Sequence, residues 1–481
     1  MSAAGGRTMF DLELMISIET RVRLDFIPRG LPPRLQTTLN MGTAFVWAGF
    51  FAMMIVSSCS AIKLICFYTN WAQYRPGVAS FTPKNIEANL CTHLIYSFAT
   101  ISSSHQLNFS QWNDDSFYED FNRLKMKNPG LKTLLSVGGW ILGTEPFTNM
   151  VSPGSNRKAF IDSVSPFLRN HGFDGLDLSW QFPGSRGSPP EDKSRFTVLI
   201  QELSKEFFNE ALQTGRERLL LSATVPSERG TIITGYEISA ISRDLDFFNV
   251  QTFDFHGFWQ NMTGHVSPLY RDRQRTAALP HSSVDSAMRY WRDNGAPAEK
   301  LILGVPFYGQ TFKLSSSDTG VGAPISGHGA VSPYITEGSM WPYYEICQFR
   351  KGATTVWIEE QKVPYSYKGA EWVGYDNIES IKLKVEYLKA KGFGGAMVWA
   401  LDMDDFTGTF CNEGKYPLLQ ALHAELNPGW CSNKADDLYQ DPQNPARFYI
   451  CNSQKGDSFF CPKGMLFFEA CKCCNWPVQG A

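Results

Sequence analysis

The chain has 481 residues, of which 43% are hydrophobic, 14% aromatic and 19% charged. That composition excludes a disordered or fibrous chain and leaves room for a large core. Lys plus Arg number 44 against 47 Asp plus Glu, a net charge of −3, so no nucleic-acid partner is expected.

Residues 41–61 are the first segment with a defined form. An apolar run from Ala44 to Val56 ends in small residues, with Ser58 and Ser60, or Cys59 and Ala61, spaced for cleavage. This is the pattern of a secretory signal peptide. The run is shorter than the ~20 apolar residues of a membrane span. Forty residues precede it, so Met41 reads as an initiator and residues 1–40 as a dubious extension. A signal anchor is the competing reading. The chain holds eleven cysteines, an odd count, and cleavage near Ala61 would remove Cys59 and leave an even set suited to an oxidising compartment. Sequons at Asn108–Phe109–Ser110 and Asn261–Met262–Thr263 agree with a secreted, extracellular protein that is free of the membrane after cleavage.

Eight β-type runs follow, at 64–68, 93–99, 131–139, 172–180, 219–225, 247–255, 301–309 and 394–402. Helical patterns such as 157–170, 191–212 and 378–391 separate most of them. Continuous apolar strands alternating with helices predict a parallel sheet covered on both faces. Eight of them predict an α/β fold of the (β/α)8 TIM-barrel type. The strand–helix alternation breaks between about 310 and 376, which predicts an α+β insertion. A doubly wound open sheet is the alternative, and no Gly-rich dinucleotide loop supports it.

The composition changes after residue 427. Cys431, Cys451, Cys461, Cys471, Cys473 and Cys474 crowd a short tail, which predicts a small disulfide-rich β module. Zinc is the weaker alternative, because two separated CxxC pairs and a nearby histidine are missing. The predicted organisation is a signal segment at 41–61, a barrel at 62–426, a linker at 427–430 and a tail module at 431–476.

The fourth run ends Asp174-Gly-Leu-Asp177-Leu-Ser179-Trp180-Gln181-Phe182-Pro183-Gly184. Alternation along a strand places 177, 179 and 181 on one side. This stretch resembles the DGxDxDxE signature of family 18 glycoside hydrolases, the chitinases. CFYTNWAQYRPG (66–77), LLSVGGW (134–140), DFHGFW (254–259) and GGAMVWALDMDDF (394–406) extend the resemblance over nearly all of 62–426. The tail, with its closing CKCCNW (471–476), resembles a family 14 chitin-binding module. The resemblance implies that the last acidic residue of the motif protonates the glycosidic oxygen, and that the substrate's acetamido oxygen is the nucleophile. It also implies disulfides Cys66–Cys91 and Cys347–Cys411. The eight histidines form no cluster with metal-ligand spacing, so no metal or cofactor is expected.

Three positions of the catalytic group depart from that pattern. Gln181 stands at the acid's position and has no labile proton. Ser179 replaces the aspartate that orients the acetamido group, and Phe253 replaces a tyrosine that bonds it. Asp174, Asp177 and Asp254 remain. Hydrolysis is therefore expected to be lost, leaving a monomeric lectin for chitin or N-acetylglucosamine oligomers. Trp71, Trp140, Trp259 and Trp399 stand where the family stacks rings on sugars, and stacking needs no ionisable group. Tyr270, Arg271 and Glu345 are expected polar contacts, and Trp476 is the expected tail platform. Ile141, beside Trp140, replaces a family Asn. The other readings are an active endochitinase with a displaced acid, Asp177 or Asp254, and a protein-interaction scaffold that binds no sugar.

Overall fold

A computed structural model describes residues 62–272, 281–335, 338–427, 435–440, 445–452, 455–462 and 464–477. The predicted signal segment, the extension before it, most of the linker and Cys431 lie outside these residues.

All eight predicted runs form strands: β1 (Lys63–Thr69), β2 (His93–Ile101), β3 (Lys132–Gly138), β4 (Gly175–Ser179), β5 (Leu220–Pro226), β6 (Phe247–Gln251), β7 (Leu301–Pro306) and β8 (Gly395–Trp399). Each pairs in parallel with the next, and β1 pairs with both β2 and β8, so the sheet closes into a barrel. The strands are buried on both faces, as their continuous apolar character requires. Surrounding helices include Gly154–Asn170, Asp192–Thr214, Val284–Asp293 and Ile378–Ala390. Local chemistry sets their ends. Gly215, at φ +67°, stops the second. Ser283 caps the third by accepting from Ser286 N, and Asn377 with Ser380 forms a capping box on the fourth.

Several strands are shorter than their predicted runs, and at two of them the backbone shows why. β4 begins only at Gly175, because Gly172 turns with φ +77°. β6 ends at Gln251, and Asp254 adopts φ +57°, so Phe253 and Asp254 lie in a turn beyond the strand.

Between β7 and β8 lies an antiparallel sheet of strands Tyr308–Leu314, Ile325–Gly327, Met340–Pro342, Thr354–Ile358, Val363–Lys368 and Glu371–Gly374, with the helix Tyr343–Arg350. It has its own core around Phe312, Val363 and Trp372. The tail holds two small antiparallel sheets, Asp437–Gln440 with Arg447–Asn452 and Lys455–Phe460, and Leu466–Phe468 with Cys473–Asn475.

The bonds Cys66–Cys91 and Cys347–Cys411 pin the barrel. Cys461–Cys474 and Cys471–Cys473 pin the tail, where Cys451 is also oxidised.

Candidate functional site

Parallel strands put all their C-terminal ends at one mouth of the barrel. The sequence places Trp71, Trp140, Gln181, Phe253 and Asp254 just beyond those ends, and Trp399 closes β8.

The floor beneath the mouth is polar. Asp177, in the middle of β4, is fully buried. Its Oδ1 accepts from Ser222 Oγ at 2.7 Å and Asn249 Nδ2 at 3.1 Å. Its Oδ2 accepts from Ser136 Oγ at 2.7 Å and Thr224 Oγ1 at 2.9 Å. Desolvation raises its pKa, and these four hydrogen bonds oppose the rise. Both oxygens are saturated from neighbouring strands, so Asp177 is poorly placed to deliver a proton to a substrate.

Above it stand Ser179 and Gln181, both buried, with Gln181 Nε2 3.4 Å from Ser179 Oγ. Two neutral side chains thus occupy the step where the family motif carries two carboxylates. Phe253 is buried, edge-on to Tyr308 at 6.2 Å. Asp254 Oδ1 accepts from Tyr308 Oη at 2.8 Å and Gln310 Nε2 at 2.9 Å. Desolvation raises the pKa of Asp254, and those two hydrogen bonds oppose the rise.

Glycine positions the wall at β3. Gly138 and Gly139 have φ +120° and +87°. A Cβ on Gly138 would lie 2.4 Å from the Ser179 carbonyl oxygen, and one on Gly139 2.5 Å from the Phe98 ring. Only glycine fits both positions, and the chain then turns out to present Trp140, which is 57% exposed. On the β1–β8 side, Phe98 stacks on Trp71 at 5.8 Å and on Trp399 at 5.9 Å, and both tryptophans remain partly open. Trp259 is 54% exposed on the rim, packed edge-on to Phe258.

The remaining predicted residues have different surroundings. Asp174 precedes β4, at the end of the barrel opposite the mouth, where it accepts from Thr133 N at 2.8 Å and pairs with Lys125 at 2.6 Å. Counting it with the catalytic group is corrected by this position: it ties strand to strand. Tyr270 and Arg271 are both exposed, and the Tyr270 ring packs edge-on to Tyr387 at 6.0 Å. Trp476 is 60% exposed in the tail.

Glu345, on the insertion helix, accepts from Ser332 Oγ at 2.5 Å, and burial pushes its pKa up to about 7. A raised folded-state pKa means the native protein holds the proton more tightly than the unfolded chain, so parent stability falls as pH rises from about 4.5 toward 7. The melting temperature of Glu345→Gln relative to the parent should therefore climb over that window and level off above it. A constant gap in thermal melts across the window would contradict this.

Sequence reasoning missed Phe98, Arg186, Tyr308 and Gln310. Phe98 and Tyr308 sat inside apolar runs that read as core, and nothing in a strand pattern shows which residue leaves the barrel to face the mouth.

The comparisons with known proteins agree with this geometry. Residues 63–404 match the model for glycosyl hydrolases family 18, and the chain belongs to that family. Residues 431–481 match the chitin binding Peritrophin-A domain. The chain is 46% identical to Chitotriosidase-1 of Mus musculus over 467 residues, 91% of this chain and 100% of that protein. It is 45% identical to Chitinase-3-like protein 2 of Homo sapiens over 389 residues, 80% of this chain and 98% of that one. Among solved structures it resembles human YKL-39, described as a pseudo-chitinase with retained chitooligosaccharide binding properties, at 45% identity and TM-score 0.74, covering 76% of this chain and 100% of that one. It also resembles catalytic domain 2 of the Ostrinia furnacalis Group II chitinase, at 36% identity and TM-score 0.73, covering 77% and 97%. The fold and the chitin-binding module are thus those of a chitinase-family protein, as the sequence resemblance implied.

Proposed function

We propose that this chain is a secreted chitinase-like lectin that binds chitin or N-acetylglucosamine oligomers and does not hydrolyse them. The observation that carries the reading is the neutral pair Ser179 and Gln181 at the step where protonation of the glycosidic oxygen would occur. A carboxamide has no proton to give at any working pH. Binding has no such requirement, and the aromatic wall of Trp71, Trp140, Trp259 and Trp399 is open in whole or part. The bound oligosaccharides of a relative with 45% identity support the same division of labour. Exposed sequon asparagines at 108 and 261 and the disulfides suit an extracellular site. Among the described residues no helix is long and apolar enough to cross a membrane.

Trp399→Ala should weaken chitohexaose binding about tenfold, since one ring's stacking and its burial are lost. Calorimetric titration checks this, and unchanged affinity would remove Trp399 from the sugar path. Retention on insoluble chitin should fall when Trp476 in the tail is replaced by Ala. Equal elution of parent and Trp476→Ala would exclude that platform.

The endochitinase reading rests on Asp254, whose carboxylate is exposed at the mouth with a raised pKa. On that reading, turnover of a fluorogenic chitobioside would vanish in Asp254→Asn. On ours, the parent gives no turnover to lose.

A further inference from the structure

The turn after β4 carries a cation that neither the motif nor the fold explains. Arg186 lies five residues beyond Gln181 with φ +53°. Its guanidinium carbon sits 3.3 Å above the centre of the Trp140 ring. Nη1 donates to the Gln181 carbonyl at 2.7 Å, and Nη2 lies 3.5 Å from the Trp140 carbonyl.

The turn around it is firmly held. Gly184, at φ +66°, packs so closely that a Cβ there would lie 2.5 Å from the Thr234 carbonyl oxygen. Gly184 N donates to Ser188 Oγ at 2.9 Å, and Ser188 Oγ donates to Asp192 at 2.7 Å. Thr144 Oγ1 donates to the carbonyl of Arg186 itself at 3.2 Å. Arg186 is thus fixed against an exposed indole instead of sweeping through solvent, and much of the entropy cost of using it is already met.

Among the described residues no carboxylate forms an ion pair with Arg186. Desolvation lowers the pKa of Arg186. The nearby positions that are acidic in the family motif are Ser179 and Gln181, and Asp177 is enclosed by its own four donors. The exposed carboxylate Asp254 stands beyond β6, two strands further round the barrel. One face of Trp140 is therefore already taken, and a sugar arriving there meets a planar cation with spare N–H donors. A neutral hydroxyl makes little use of such a group. A sulfate or carboxylate oxygen pair matches its fork.

We propose that Arg186 and Trp140 form a subsite for an anionic group on an N-acetylglucosamine oligomer, making Arg186 a specificity-determining residue of the groove. The subsite rests on the oligosaccharide-binding reading above, and the test separates the two.

Three hexamers with one backbone are titrated into the full chain at low salt: chitohexaose, 6-O-sulfated chitohexaose and 6-O-carboxymethyl chitohexaose. At least one anionic hexamer should bind about fivefold tighter than the neutral one, the upper range for an exposed ion pair. Which of the two it is identifies sulfate or carboxylate as the preferred group. The preference should shrink in ~1 M salt, where screening acts within a few ångströms. It should fall to about one in Arg186→Gln, an exposed position whose fold is checked by thermal melting. Equal affinity for all three hexamers overturns the subsite and leaves the lectin reading standing. Binding of an anionic hexamer alone, sensitive to Arg186→Gln, supports the subsite and overturns the reading for neutral chitin. Preference that survives in Arg186→Gln also overturns the assignment.

Discussion

Ser179→Asp combined with Gln181→Glu is expected to raise chitobioside turnover from background by about 10²-fold or more, the usual contribution of a placed general acid. The change is asked of a pocket that is otherwise built. Asp177 keeps its four hydrogen bonds just below, and Gly138 and Gly139 hold the β3 end against the Ser179 carbonyl. A carboxyl at 181 would be desolvated where the carboxamide is now, which raises its pKa and lets it hold a proton near neutrality. A carboxylate at 179 would lie beside it and push the same way, as like charges do. Adding Phe253→Tyr should raise turnover further by restoring the hydroxyl that the resemblance assigns to the acetamido group. A double variant that stays at background while the triple variant turns over would put the block at Phe253. A silent triple variant would show that the groove no longer seats the substrate for reaction.

Asp177→Ala should be among the most damaging single substitutions in the barrel, costing on the order of 3 kcal/mol or more as its buried donors lose their acceptor. The acceptor serves donors from three other strands: Ser136 on β3, Ser222 and Thr224 on β5, and Asn249 on β6. Removing it strands four buried donors, each carrying a desolvation penalty of ~1–3 kcal/mol before relaxation. Asp177→Asn is milder, because one carbonyl oxygen still accepts while the new NH2 opposes hydroxyls that can rotate to accept from it. Chemical denaturation should show the order parent, Asn, Ala in midpoint. If alanine were as stable as the parent, the polar floor would not be a structural element.

The barrel was legible because its signal is repeated. Eight apolar runs at barrel spacing can be misjudged by a few residues each without changing the fold, and 172–180 and 247–255 were misjudged in that way. Their ends depend on single backbone conformations, Gly172 at φ +77° and Asp254 at φ +57°, which apolar patterning does not encode. The degenerate step was legible for a different reason: Ser179 and Gln181 are read against a motif, one residue at a time. Asp174 shows the limit of that method. It belongs to the same motif as Gln181, yet lies at the opposite end of the strand and pairs with Lys125. Contacts between distant segments were the least legible. Phe98 between Trp71 and Trp399, Gln310 on Asp254, and Arg186 on Trp140 all arise from side chains brought together by the closed sheet.

Binding and cleavage can be read together by native mass spectrometry of the full chain after prolonged incubation with chitohexaose. The account predicts a complex whose added mass is one intact hexamer, with no chitobiose or chitotetraose released. Released shorter oligomers would contradict the loss of hydrolysis, and protein that carries no sugar at saturating hexamer would contradict the lectin.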